Sequence, residues 1–576
     1  MEQRNLVIAL ALSVAILIGF QFLFPPPAPP APEQTTPDRV EQVPVQPQGA
    51  PGAVTAPVAP ATPTVAAEPT SRANALARAP RVAIDSPRLR GSLSLVGGRI
   101  DDLALRDYRE TLDPNSAQVT LLSPAGAPNA YYGEFGWVSA QGVAIKLPGP
   151  DTVWTASPGS LTPATPLTLA WDNGEGLRFV RTIRVDENYL FTVNERVENQ
   201  TGAAVTLYPY GLVARSGTPK TLGYFILHEG PVGVLQDRLV EFNYDDVKEA
   251  GAETARSTGG WIGITDKYWL VAVIPDQATS FDSGFRYTAA GEDKYQADFR
   301  RDGVQVAAGT SAEVQHMFFA GAKEVTLLEE YRDRVGITRF DLAIDWGWFF
   351  FLTKPIFLFL HALHEWLGNF GLAIILFTVF LRLLFFPLAN KSFRSMAGMR
   401  KIQPEVMRMR EVYANDREKQ TKEIMELYRR EKVNPLSGCL PILLQIPVFF
   451  ALYKVLFVTI EMRHAPFYGW IKDLSAPDPT TVFNLFGLIP WDPPSFLLVG
   501  IWPILMGISM FVQQKLNPAP PDPVQQRIFM LLPIIFTFVL AGFPAGLVIY
   551  WTVNNVLSMA QQWIIIRRVE AQKTAS

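Results

Sequence analysis

The sequence predicts a multidomain chain: an α-helical polytopic membrane core, an N-terminal anchor helix and a β-sandwich between them. Three observations carry this. Apolar runs of near-spanning length recur after residue 345, and another opens the chain. Residues 80–336 instead show two-residue alternation punctuated by turn signals. Charge is also segregated. From Gly336 onward there are 23 Lys+Arg against 16 Asp+Glu, a net +7, while the preceding part carries −10. An acidic half and a basic half point to two compartments, with the basic loops in the cytoplasm.

The first element, residues 1–24, is a transmembrane anchor built on the apolar run from Leu6 to Phe24. Arg4 precedes it and favours a cytoplasmic N-terminus. The run ends in Phe22-Leu23-Phe24 and prolines, without a small-x-small cleavage site, so the segment reads as uncleaved. Residues 25–79, rich in Pro, Ala, Gln and Thr, are expected to be a disordered, semi-stiff linker.

Residues 80–336 form the sandwich. Phe179, Arg181, Ile183 and Val185 alternate against Val180, Thr182 and Arg184. Asp186-Glu187-Asn188 is a turn, and alternation resumes from Phe191 to Val197. A helix over Lys323 to Val335 closes the domain, with Leu327, Leu328, Tyr331 and Val335 on one face. The single cysteine, Cys439, lies in an apolar stretch. Intrachain disulfides and cysteine metal sites are thereby excluded, and Cys439 reads as a small packed residue.

Residues 345–367 are apolar but carry Lys354, His361, His364 and Glu365 at helical spacing, the pattern of an amphipathic helix in the membrane interface. Five core spans are expected at 368–389, 436–460, 496–514, 528–543 and 545–566, the last two parted by Phe543-Pro544-Ala545-Gly546. Residues 390–434 are strongly basic and read as a helical hairpin, with Asn415, Asp416 and Arg417 at its tip. The tail, 567–576, opens with Arg567-Arg568. With the N-terminus inside, hairpin and tail both fall inside and the sandwich outside, in agreement with the positive-inside rule.

Arg382 is the only charge deep within its span. Placing arginine at a span centre costs at least about 2.5–3.5 kcal/mol, so it faces water or a partner. Snorkelling to the cytoplasmic face satisfies the same physics, and the residues alone leave both readings standing. No acidic residue lies in the other spans, since Glu461 belongs to the opposite face, which favours a watery groove. Thr378, Gln445, Gln513, Asn554, Asn555 and Gln561 could line it, though each alone is equally a helix-packing contact. Lys454 is expected to snorkel outward. His361 and His364 lack a third ligand, so they read as polar helix face and no metal site is expected.

Longer motifs then come into view. The run from Asn434-Pro435-Leu436-Ser437-Gly438-Cys439-Leu440-Pro441 to Gln445-Ile446-Pro447 closely resembles the third-span motif of the YidC/Oxa/Alb insertase family. Arg382 with Phe386-Pro387-Leu388 is similar to its second span. Phe543-Pro544-Ala545-Gly546-Leu547 and Asp522-Pro523-Val524-Gln525-Gln526 resemble its last hairpin and the preceding loop. The resemblance covers essentially the whole chain.

The resemblance implies a membrane protein insertase and chaperone of the bacterial inner membrane, not an enzyme. It implies work alone or with the Sec translocon and its accessory subunits, on nascent membrane proteins supplied by the ribosome and signal-recognition-particle pathway, in contact with membrane lipids. It implies a hydrophilic groove open to cytoplasm and lipid. There Arg382 attracts a substrate's acidic tail, with Thr378, Gln445, Gln513, Trp551 and Asn554 around it. No cofactor is implied, and no GxxxxGK[ST] nucleotide loop occurs in the sequence. One departure is Trp551, read as standing where the family commonly has Tyr. Another is a long outside loop containing Phe483-Asn484-Leu485 and Trp491-Asp492-Pro493. The sandwich resembles the mutarotase-like periplasmic domain of Gram-negative members. Its His228 and His316 sit in no acid/base pattern, so docking or structural work is expected of it.

Two other classes predict features that the sequence does not show. A transporter binding an anionic solute at Arg382 should show internal repeats, and none is visible. A sensor with a sugar-binding sandwich should carry a signalling domain, which the sequence through Ser576 does not contain.

Overall fold

The computed structural model describes residues 71–221, 227–431, 433, 440–491, 493–494, 497–516 and 523–574. The anchor, most of the linker, the start of the 436–460 span, the loop before Pro523 and the final residues of the tail lie outside these.

The linker expected to run to Ala79 ends earlier. Helix α1, Arg72–Ala77, is capped by the Ser71 hydroxyl, buries Ala75 and ion-pairs Arg72 with Asp102. A cap and one tethered arginine suffice to order the last turn of an otherwise polar segment.

Two antiparallel sheets follow. The 10-stranded sheet runs Arg81–Asp85, Leu89–Ser94, Ile100–Arg109, Tyr131–Ser139, Val205–Ser216, Glu292–Arg301, Ser280–Ala290 and Ala252–Thr258, with Gln118–Leu122 and Val304–Val306 paired off this path. The 9-stranded sheet runs Arg238–Glu241, Gly230–Leu235, Trp261–Thr265, Trp269–Ile274, Ser311–Ala322, Leu190–Asn199, Leu177–Val185, Leu167–Asp172 and Thr155–Ala156. Their inner faces meet at contacts such as Phe135 against Phe318, edge to face at 6.1 Å. The hairpin read from sequence pairs Val185 with Phe191 and Phe179 with Val197. Its turn is held by Asp186, whose Oδ1 accepts from the Asn188 and Leu190 amides. Alternation also puts Arg181 inside. It is fully buried, paired with Glu195 at 2.8 Å, donating to the Gly98 carbonyl and lying over the Trp154 ring.

Helix α2, Tyr244–Ala250, decorates the sandwich. The closing helix expected over Lys323–Val335 is shorter: α3 spans Val325–Glu330, and Tyr331–Val335 continues in wider π-type turns. Tyr331 thereby turns back to donate to Asp186 and pack on Phe319 and Phe340.

The helical half comprises α4 (Phe350–Leu367), α5 (Phe370–Leu384), α6 (Phe386–Val412), α7 (Arg417–Arg430), α8 (Leu440–Val458), α9 (Ile501–Leu516), α10 (Pro523–Ala541) and α11 (Ala545–Thr574). Several boundaries differ from hydropathy. The interface helix begins at Phe350, after a 3₁₀ turn at Phe340–Ala343, rather than at residue 345. The span expected over 368–389 is not one straight rod. It breaks at Phe385, and α5 and α6 diverge by 67°. Pro387 sits in the first turn of α6, where its missing N–H is harmless, and a proline there favours a fresh helix start over continuation. The fourth span starts at Ile501, not 496, and α11 runs past 566 into the tail. α5 approaches the loop at Phe467 closely because residue 371 is glycine: a Cβ there would lie 2.0 Å from the Phe467 ring.

Among the described residues no single helix is long and apolar enough to cross a membrane alone, whereas the bent pair α5–α6 passes that test together. The shorter apolar helical stretches are Gln445–Val458 and Gln526–Ala541. One contiguous buried cluster links sandwich and helices, passing from Phe319 through Ile337, Phe340 and Trp346 to Phe357, Leu360 and Ile374.

Candidate functional site

On α5 the buried residues Phe370, Gly371, Ala373, Ile374, Phe377 and Thr378 mark one stripe, while Phe380, Leu383 and Leu384 are exposed. Arg382 follows Thr378 by four residues, so it continues the bundle-facing stripe. It also sits in the last turn of α5, where the unpaired carbonyls favour a cation.

The facing surface comes from α11. Tyr550, Asn554, Ser558 and Gln562 recur every fourth residue and are all buried. Ser558 Oγ donates to the Asn554 carbonyl of its own helix at 2.7 Å, and Gln562 Nε2 donates across to the Leu516 carbonyl of α9 at 3.2 Å. Asn555, one position round, donates to Ser509 Oγ of α9 at 3.0 Å.

Between these faces lies a small cavity open to the outside, completed by residues of α6 and α8. Its lining is Leu381, Arg382, Phe385, Leu388, Ala389, Gln445, Val448, Tyr550 and Asn554. Arg382 Nε donates to Asn554 Oδ1 at 2.8 Å and Nη2 to the Asn554 carbonyl at 3.2 Å. Tyr550 and Gln445 line the same cavity from α11 and α8. Among the described residues the lining holds one positive charge, three neutral polar side chains and no carboxylate. Such a site attracts anions without a built-in competitor.

Of the residues singled out in the sequence, Arg382, Gln445 and Asn554 come together here. Thr378, Gln513 and Trp551 are not among the lining residues. Thr378 is fully buried and donates to the Ile374 carbonyl of its own helix at 2.7 Å. Trp551 points to the other side of α11, packing on Phe449 at 4.8 Å and Phe536 at 5.7 Å. Gln513 is half-buried on α9. The α11 aromatic that lines the cavity is Tyr550, so a hydroxyl is present there. Its signal in the sequence was its position four residues before Asn554.

One other expectation is corrected. Lys454 does not snorkel to water; its Nζ pairs with Asp345 at 2.8 Å and is largely buried. His361 lies 3.6 Å from Glu365, and His364 stacks on Phe370 at 3.7 Å. At the hairpin tip, Asn415 and Asp416 are exposed, and Asp416 caps α7 by accepting from the Lys419 amide at 3.0 Å. Arg417 opens α7; its side chain is outside the described residues. No group of three or more His, Cys, Asp or Glu that could hold a metal occurs among the described residues.

A β-sandwich joined to a bundle of apolar helices, with Arg382 held between two of them, defines a class: a two-part protein with a β domain and an apolar helical core. Residues 81–359 match the family model for the YidC periplasmic domain, and residues 362–573 match that of the 60Kd inner membrane protein. Relatives named membrane protein insertase YidC include those of Methylobacterium radiotolerans, 51% identical over 98% of this chain and 95% of the relative, and Bradyrhizobium diazoefficiens, 51% identical over 98% and 96%. The Rhizobium meliloti protein is 49% identical over 98% and 96%. The chain belongs to the YidC family of membrane protein insertases. A solved YidC insertase is 18% identical with a TM-score of 0.35, covering 83% of this chain and 91% of that one. A galactose mutarotase-related enzyme from Lactobacillus acidophilus covers 42% of this chain and 97% of its own, at 11% identity and a TM-score of 0.30.

Proposed function

We propose that this protein inserts nascent membrane proteins by receiving their acidic hydrophilic tails in the Arg382 cavity while their apolar helices leave into lipid. The observation that carries this is a guanidinium in a polar pocket between apolar helices, with no carboxylate partner among the described residues. A carboxylate crossing bare hydrocarbon loses its hydration with nothing in return. A wet, cationic station part-way shortens that path and lowers the barrier. No nucleotide is required, since substrate hydrophobicity and membrane potential supply the drive.

In this reading both termini and the α6–α7 hairpin are cytoplasmic and the sandwich is periplasmic. The hairpin captures substrate through Asn415, Asp416 and Arg417. The Sec translocon, ribosome and signal-recognition-particle pathway are partners for longer clients. Thr378, Gln513 and Trp551 shape the bundle around the path rather than touching the Arg382 charge.

Reconstituted insertion of a single-span substrate tests this. A hydrogen bond to a charged group contributes about 1.5–3 kcal/mol, so Arg382→Ala should slow insertion of an acidic-tailed substrate roughly 10- to 100-fold. Arg382→Lys should retain most activity, because it keeps the charge. Unchanged insertion of every substrate by Arg382→Ala would remove the cavity from the mechanism.

A further inference from the structure

Asn554 holds Arg382 in a particular way. Its side-chain oxygen takes Nε at 2.8 Å and its backbone carbonyl takes Nη2 at 3.2 Å. That carbonyl is fixed in turn by Ser558 Oγ at 2.7 Å. Among the described residues these are the hydrogen bonds Arg382 makes. Asn554 is buried on a helix that Pro544 and the Ala476 and Leu474 carbonyls anchor at its start, through the Ala545 and Gly546 amides at 2.8 and 3.0 Å. The acceptor thus sits buried on a helix whose start is held by tertiary hydrogen bonds.

It is also neutral, and the rest of the chain shows what the alternative looks like. Arg181 and Arg99, both buried in the sandwich, are held by Glu195 and Glu134 at 2.8 and 2.6 Å. Those pairs carry no net charge. An amide satisfies the same guanidinium edge and orients it, while leaving the full positive charge in the cavity. Binding on the Nε–Nη2 edge also leaves Nη1 for an incoming group.

We propose that Asn554 is the positioning residue of the insertion site: it clamps one edge of the Arg382 guanidinium with a deliberately uncharged acceptor, so that the other edge is presented, undiminished in charge, to a substrate carboxylate. This rests on the cavity reading of Arg382. Selectivity for acidic tails is thus a property of the Arg382–Asn554 pair.

The near-isosteric substitution Asn554→Asp tests it, because it preserves volume and the acceptor toward Nε but converts the clamp into an ion pair. Reconstituted wild-type, N554D, N554A, R382A and the double variant R382A/N554A are compared on one substrate with an acidic external tail and on its Asn/Gln-tailed counterpart, with thermal melts as a folding control. N554D should slow the acidic tail about as much as R382A and leave the neutral tail unchanged, and the double variant should be no slower than R382A. N554A, which frees the guanidinium without neutralising it, should fall between wild type and N554D on the acidic tail. Equal slowing of both tails, normal insertion of the acidic tail by N554D, or a double variant slower than R382A would each overturn the proposal. If R382A itself inserts the acidic tail normally, it is the cavity reading that fails, and this inference falls with it.

Discussion

Buried arginines solve one problem in two ways here. Arg181 is surrounded by apolar side chains, and the Glu195 carboxylate balances it. Arg382 faces an amide and an open cavity. The first arrangement serves structure, because an ion pair inside a sandwich holds position and attracts nothing. Glu195→Ala should therefore leave an uncompensated charge and destabilise the protein by about 3–5 kcal/mol, read as a large fall in melting temperature of the purified chain. The positions of both arginines were legible in different degrees. Two-residue alternation alone put Arg181 on the inward face. Composition alone left Arg382 undecided between snorkelling and a groove, since hydropathy carries no rotational phase; the stripe of buried residues on α5 supplies it. Tyr550 was missed because an aromatic in an apolar span looks like packing, and only its spacing from Asn554 distinguishes it from Trp551.

Helices and turns follow local chemistry more closely than hydropathy windows do. Apolarity marks where a chain can be buried, whereas helices end where caps and prolines act. That is why the 368–389 run contains a 67° bend at Phe385, and why α11 outlasts its apolar part. The hairpin α6–α7 is antiparallel: Arg430 pairs with Glu405 at 2.9 Å, and Gln420 donates to the Arg410 carbonyl at 3.0 Å. Ile402, Val406 and Leu427 form its own small core, separate from the core of the bundle. Leu427→Ala should cost about 2–5 kcal/mol locally. Limited proteolysis should then cut near Asn415 much faster, while the melting of the rest of the molecule stays unchanged. A matching fall in global stability would mean the hairpin is not an independent unit.

At the scale of the whole molecule, sandwich and bundle are joined by specific polar contacts over a shared apolar core. Lys454 pairs with Asp345, Arg463 donates to the Arg109 carbonyl at 2.6 Å, and Lys267 lies over the Phe457 ring. Glu461, just outside the third span, accepts from the Val325 amide at 2.9 Å. Burial pushes its carboxyl up to about 7 from an ordinary 4.5, outweighing that hydrogen bond. Between these two values the folded chain keeps a proton that the unfolded chain has lost. Stability should therefore fall as pH rises from about 4.5 to about 7 and then level off. Glu461→Gln should flatten that dependence in melts taken across the same window; an unaltered slope would assign it to another group. None of this junction could be read from sequence, because the partners lie in different domains and no local pattern links them.

The central claim is that substrate passes through the Arg382 cavity. A photoreactive phenylalanine analogue at Tyr550, beside Arg382 and Gln445, tests it most directly, with a second at Ile534 on the exposed face of α10 as control. Stalled nascent chains with an acidic tail should crosslink strongly at Tyr550, weakly at Ile534, and lose the Tyr550 signal when the tail is neutralised. Crosslinks at Ile534 with none at Tyr550 would contradict the account.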